Sequence, residues 1–303
     1  VAEILRVLSF SDEYLDDIVR LYNLHMTHLP YAWPITAEDF RGAVMGMATP
    51  SGHELPFDAG GLKVAFRGDS AAGYAHAMEL RGRKRSSAGR KGAICFLCIA
   101  PGDIEVAEAL IAACSQYLGS KGLRCEEVWP LEYSYWFFQG GKGKISEESH
   151  IAETLVRCGW KPTGGEHVMV LDLGSPNGVV SPRIEVEVRK MEKQGRYRDW
   201  SVEAWVGGKR AGWVNWRTMS QTSNDAAAAR VGYIASVYTG PEFRRKRISS
   251  YLMSLAAEEM RREGRTEAWL MARVKNEPAV ALYTSLGWRS RTIAWTFVPG
   301  ESL

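Results

Sequence analysis

VYTGPEFRRKRISSYLM, residues 237–253, reads as three pieces. An apolar β-type run ends at Thr239, Gly240-Pro241 breaks it, and four cations, Arg244, Arg245, Lys246 and Arg247, lead into an amphipathic helix. From Ile248 to Arg262 that helix sets Ile248, Leu252, Leu255 and Met260 close to one stripe. A strand, a cationic loop and a helix start suit a phosphate group. First-turn N–H groups have no intrahelical acceptor, and the helix dipole favours negative charge there. Taken alone, four adjacent cations are most often a solvated surface loop. The strand before them and the helix after them favour the anion-binding reading.

Working outward, the chain repeats itself at a spacing of about 140 residues. Residues 64–75, VAFRGDSAAGYA, align without gaps on residues 203–214, EAWVGGKRAGWV. Ala65, Gly68, Ala72 and Gly73 meet Ala204, Gly207, Ala211 and Gly212, and each copy reads as a β-hairpin around a Gly turn. Each hairpin precedes a strand, 93–100 or 231–239, that ends before Pro101 or Pro241. An amphipathic helix follows in each, closing on Lys121-Gly122 or Glu263-Gly264. Then come a strand, Cys125–Trp129 or Glu267–Val274, and a short helix ending at Gly159-Trp160 or Gly287-Trp288. Five elements in one order imply a duplication and an α/β architecture in two tandem domains with mixed sheets. The Gly174–Pro182 stretch, rich in Gly, Ser, Pro and Asn, predicts the boundary, giving domains 1–173 and 182–303. Only the first copy has room for leading helices, predicted over Ser11–Leu29 and Thr36–Met47. The latter opens with the capping-box spacing Thr36-x-x-Asp39. A strand near Arg183–Arg189 and a polar stretch Lys190–Asp199 open the second.

Composition narrows the class. A net charge of +3 from 38 basic and 35 acidic residues is too balanced to argue for nucleic acid by itself. The longest apolar run, AICFLCIA over 93–100, is too short to cross a bilayer, and no secretory pattern is visible. Five cysteines are then expected as free thiols in a reducing cytosol. Cys95 and Cys98 fall three apart in a β-type run and so point to opposite faces. With no second pair, they read as small buried hydrophobes rather than a metal or redox site.

Residues 237–253 resemble the acyl-CoA pyrophosphate loop of GNAT-type N-acetyltransferases, whose signature is Gln/Arg-x-x-Gly-x-Gly/Ala after the central strand. Here Arg244 fits the leading position, Arg247 stands at the first Gly, and Ser249 stands at the small residue. The resemblance implies an acyl-CoA N-acyltransferase fold, in a tandem layout similar to mycothiol synthase, packed as an internal pseudo-dimer, whether a monomer or a homodimer. It implies acetyl-CoA as co-substrate, held by the 244–250 loop, including Ile248, Ser249 and Ser250, and by Asn276. It further implies that N–H groups of Val237, Tyr238 and Thr239 hold the thioester carbonyl, and that Tyr283, in NEPAVALYTSLGW, protonates the leaving thiolate. Helix punctuation accounts equally for Asn276 and Pro278, and core packing competes for Tyr283. The first copy lacks the basic loop, carries Asp103 near its helix start, and aligns Leu155 with Tyr283, so it reads as structural or as part of a substrate wall.

A small-molecule or peptide amine is the expected acceptor. No general base is evident: every histidine lies at or before His167, leaving Glu203, Asp225, water or a group from the first copy. Trp200, Trp205, Trp213 and Trp216 either pack a core or line an apolar pocket. Arg81, Arg83, Lys84, Arg85, Arg90 and Lys91 form a second basic cluster, read as a solvated loop or an RNA contact. Two alternatives follow: a non-catalytic degenerate GNAT-fold scaffold, favoured by Arg247 and Ser249, and an aminoacyl-tRNA-dependent transferase.

Overall fold

The computed structural model describes residues 4–45, 58–80, 91–131, 134–174, 178–193 and 197–300. The basic cluster at 81–90 lies outside them. Lys91, at its edge, pairs with Glu126 at 2.5 Å.

The chain forms two compact units, Val1–Gly165 with Ala294–Leu303, and Glu166–Ile293. In chain order the first contributes β1 (Leu5–Ser9), α1 (Leu15–His25), α2 (Ala37–Met45), β2 (Leu62–Arg67), β3 (Ser70–Leu80), β4 (Lys91–Ile99), α3 (Ile104–Ser120), β5 (Cys125–Val128), β6 (Ile145–Ser146) and α4 (His150–Arg157). Strand β7 (Trp160–Asp172) begins in this unit and ends in the second. The second unit adds β8 (Glu187–Lys193), β9 (Asp199–Val206), β10 (Lys209–Thr218), β11 (Val231–Thr239), α5 (Ile248–Arg262), β12 (Glu267–Arg273) and α6 (Glu277–Ser285). Strand β13 (Arg289–Pro299) starts there and finishes in the first unit. The units therefore divide within β7 and β13, not in the 174–182 stretch.

Within the first unit the strand order is β1-β2-β3-β4-β5-β13, with β4 and β5 parallel. Within the second it is β7-β12-β11-β10-β9-β8, with β11 and β12 parallel. Both follow the hairpin, strand, helix, strand order of the sequence repeat. The expected strand near 183–189 begins at Glu187 and runs on to Lys193, pairing with β9 through the stretch read as a polar connection. Five of its seven residues are charged, which suits an edge strand.

The leading helices are present in the first unit, and α1 buries Leu15, Ile18, Leu21 and Tyr22 on one face. Ahead of α2 the Thr36 N–H donates to Asp39 Oδ2 at 2.9 Å and the Asp39 N–H to Thr36 Oγ1 at 3.1 Å, a reciprocal cap. In the second unit α5 buries Ile248, Leu252, Met253, Ala256 and Met260 at helical spacing against the sheet. Each large member contributes about 1.5–3 kcal/mol of transfer free energy. A Cβ at Gly232 in β11 would meet Met260 Sδ at 2.4 Å, so this glycine permits the close approach.

Candidate functional site

Strand β11 is shaped by two irregularities. Asn215 pairs with Ser236 but Trp216 pairs with Ile234, so Ala235 is an extra residue, a β-bulge. On the other side, β11 pairs with β12 only from Val231↔Glu267 to Tyr233↔Trp269. Beyond Tyr233 the two parallel strands separate, and residues 234–239 pair only with β10. The result is a splay with β11 backbone groups along one wall.

Alternation tells which groups face it. The Gly240 N–H donates to Ala211 O across β10 at 2.8 Å. Peptide groups alternate sides along a strand, so Tyr238 also turns its backbone towards β10, while Val237 and Thr239 aim theirs into the splay. A Cβ on Gly212 of β10 would lie 2.6 Å from Tyr238 O, in agreement. Of the three residues expected from sequence to bind the carbonyl, Val237 and Thr239 turn their backbone groups into the splay, and Tyr238 turns its backbone towards β10.

The splay leads into the cationic loop. Arg247 is the N-cap of α5 in the left-handed region, with φ 60° and ψ 19°. Arg245 is left-handed too, at φ 62°. Glycine favours this conformation, so the backbone retains the course of a glycine loop although its residues are arginines. Arg244, Arg245 and Arg247 are exposed, and Lys246 lies 5.5 Å from the Phe243 ring centroid. None of these four cations meets a carboxylate among the described residues. The Arg183 N–H donates to Lys246 O at 2.9 Å and pins the loop.

No side chain caps α5. The N–H groups of Ile248, Ser249 and Ser250 find no acceptor among the described residues. Ser249 turns its hydroxyl back to Thr239, Oγ to Oγ1 at 2.6 Å, tying the helix start to the end of β11. A small side chain at this position is thus accommodated beneath the loop. The arrangement suits a phosphate chain: unpaired donors, a helix dipole and four cations that pair with no carboxylate among the described residues.

The first unit has the same bulge, at Cys95, where His76 pairs with Phe96 and Ala77 with Ile94. Its β4–β5 pairing likewise stops at Ile94↔Val128. Here, however, residues 92–99 are all buried. Phe96 packs against Trp129 at 4.6 Å, Tyr135 at 4.7 Å and Phe138 at 5.4 Å, centroid to centroid, so aromatic rings fill the space. The start of α3 is closed as well: Asp103 accepts from the Val106 N–H at 3.2 Å and pairs with Arg67 at 2.8 Å. The expected acid at this helix start is its own cap.

Asn276 is exposed at the start of α6, and its side chain makes no capping bond. Its carbonyl accepts from Ala279 and Val280 instead. Tyr283 is buried against the core that includes Trp288, with ring centroids 6.3 Å apart. Burial pushes its phenol pKa up, which keeps it protonated at neutral pH.

The two carboxylates considered as bases have other partners. Glu203 is buried, and its Oε1 accepts from Lys193 and Arg210, each at 3.2 Å. Asp225 shapes a turn, accepting from the Ala227 N–H at 2.7 Å. The tryptophans divide by face: Trp216 is buried and stacks with Trp200, whereas Trp205 and Trp213 lie on the opposite face beneath Arg189 and Arg210. All five cysteines are free, and burial raises the thiol pKa of Cys95 and Cys98. No cluster of metal-ligating side chains occurs among the described residues, and none of their helices is long and apolar enough to cross a membrane.

Residues 175–288 match the sequence profile of the Acetyltransferase (GNAT) family. This stretch of the chain therefore resembles a GNAT acetyltransferase domain. That match lies within the second half of the chain. A [ribosomal protein bS18]-alanine N-acetyltransferase of Salmonella typhimurium is 25% identical over 118 residues, 36% of this chain and 78% of that protein. The tandem GNAT fold extends over both units. A tandem GNAT protein from the clavulanic acid biosynthesis pathway superposes with a TM-score of 0.70 at 14% identity, covering 99% of this chain and 100% of that one. A GCN5-related N-acetyltransferase from Sphaerobacter thermophilus gives 0.64 at 15% identity over 99% and 98%.

Proposed function

We propose that the second unit of this GNAT chain binds acetyl-CoA between β11 and β12 and transfers its acetyl group to an amine. The observation that carries this reading is the open splay running into an uncapped helix start with four unpaired cations, beside a first unit where both features are closed. In this reading the 244–250 loop and Asn276 hold the phosphates, and the amides of Val237 and Thr239 bind the thioester oxygen as charge develops on it. The acceptor nitrogen forms a bond to the acetyl carbon, the carbon–sulfur bond breaks, the nitrogen gives its extra proton to solvent, and Tyr283 protonates the thiolate. Solvent is assigned as proton sink because Glu203 is clamped by two cations and Asp225 is spent in a turn.

The first domain, 1–173 in sequence terms, is then the copy with a degenerate cofactor loop, and 182–303 carries the site. The Salmonella relative's name specifies an alanine amine of a ribosomal protein, which supports an amine acceptor here. Five free cysteines support a reducing, cytosolic setting. Calorimetric titration of acetyl-CoA at physiological salt tests the reading: one-to-one binding in the micromolar range is expected. No heat up to millimolar ligand would overturn it in favour of a scaffold.

A further inference from the structure

On the sheet face of the second unit opposite α5, Glu203 of β9, Trp213 of β10 and Tyr238 of β11 stand in one cross-strand row. They form a built stack. Glu203 Oε1, deep in the sheet, holds the Arg210 guanidinium at 3.2 Å. Arg210 lies 4.5 Å from the centroid of the Trp213 ring. The Trp213 and Tyr238 rings are 4.3 Å apart at 27°, a parallel stack. Tyr238 closes the series and is 41% exposed, a large aromatic presented to solvent. On the same face, in the next cross-strand row, lies a polar pair, with Asn215 Nδ2 donating to Ser236 Oγ at 3.0 Å.

We propose that the outer face of Tyr238 is the acceptor platform and that the acceptor is an arylalkylamine, a primary amine carried a few bonds from an aromatic ring. This rests on the transferase reading above and specifies its substrate class. Three observations combine. The exposed ring is immobilised from behind by a buried carboxylate, a cation and a second ring, as a recognition surface requires and a chance surface tyrosine does not. It sits between Val237 and Thr239, whose amides face the splay, so a group stacked on it is next to the acyl position. The cation of the stack lies over Trp213, 4.5 Å from its centroid, and Tyr238 continues the stack as a flat ring, so a further flat π surface is the complement for its open face. Asn215 of β10 and Ser236 of β11 lie in the next same-face row, within reach of the acceptor's amino group.

The test compares 2-phenylethylamine with 2-cyclohexylethylamine, which share the amine and chain and differ in ring π character. Each is titrated by calorimetry into the full chain saturated with CoA, after CoA binding has been measured separately. The aromatic amine is expected to bind about 2- to 10-fold more tightly, and in Tyr238→Leu that ratio falls to about one. The ratio is insensitive to a general loss of folded protein. CoA binding with equal affinity for the two amines, or with neither bound, overturns the acceptor assignment and leaves the transferase reading standing. Absence of CoA binding overturns both.

Discussion

Arg247→Gly restores the residue that a GNAT phosphate loop carries at this position, and its effect can be worked out in two parts. The backbone is already left-handed at φ 60°, a conformation that costs an L-residue about 1–2 kcal/mol. Glycine removes that strain but has more chain entropy to lose on folding, about 0.5–1 kcal/mol. The balance is a stabilisation near 0.5 kcal/mol, or about 1–2 °C in Tm for a protein of this size. On the binding side, the exposed guanidinium has no carboxylate partner and is free to meet a phosphate. Losing one exposed ion pair is expected to weaken acetyl-CoA binding by no more than about fivefold at physiological salt, and by less as salt screens the pair.

Calorimetry on the wild type, Arg247→Gly and Arg247→Ala at two ionic strengths measures both parts. Alanine keeps the left-handed strain and removes the charge, so it should match glycine in affinity and fall below it in Tm. A tenfold gain in affinity for Arg247→Gly would refute the reasoning, because it would show that the side chain or its Cβ stands in the phosphate path. Equal Tm for Gly and Ala would refute the strain argument.

Three further outcomes are expected. Tyr283→Phe should lower kcat by about 10²- to 10⁴-fold with little change in CoA affinity, measured by thiol release, because it removes the proposed proton donor and keeps the ring. Ser249→Ala deletes the 2.6 Å link to Thr239 and should cost about 0.5–1.5 kcal/mol in urea unfolding. His76 is buried, and desolvation holds its pKa down at about 4 against 6.5 when unfolded. Between those values the unfolded chain binds the extra proton, so stability present above pH 6.5 is lost as pH falls towards 4. The loss is about 3 kcal/mol, and His76→Phe should flatten it in urea titrations at pH 7.5, 5.5 and 4.5.

The element order was legible because the repeat states it twice and because periodicity and punctuation agree. Residues 231–239 and 248–262 hold the expected strand and helix end to end, and Thr36 and Asp39 make the cap their spacing implies. Three things were not legible. The bulge at Ala235 is a register property between strands, and no residue type demands it. The left-handed backbone at Arg245 and Arg247 runs against local preference, since arginine pays for that conformation. Tertiary closure, with Arg183 holding Lys246 O and Ser249 holding Thr239, imposes it. The run from Lys190 to Lys193 looked like a connection because edge strands favour charge, and its pairing with β9 makes it sheet.

The two copies treat one shared opening in different ways. Both inherit the bulge and the early end of the parallel pairing, so both backbones open at the same place. An open splay exposes apolar and polar backbone surface, which must be covered by the chain or reserved for a ligand. The first copy covers it: Phe96 meets Trp129, Tyr135 and Phe138, and Asp103 occupies the helix start that an anion would use. Such a plug gains several kcal/mol of buried aromatic surface, and nothing in it needs a ligand to fold. The second copy keeps Ala235, Ser236 and Val237 only partly buried and leaves four adjacent cations with no carboxylate partner among the described residues. That repulsion costs folding stability at low salt, and a bound polyphosphate would relieve it. Tolerated strain at Arg245 and Arg247, unmatched charge and an unfilled splay thus coincide at one place. Their cost falls where the bound phosphate chain of a CoA thioester would recover it.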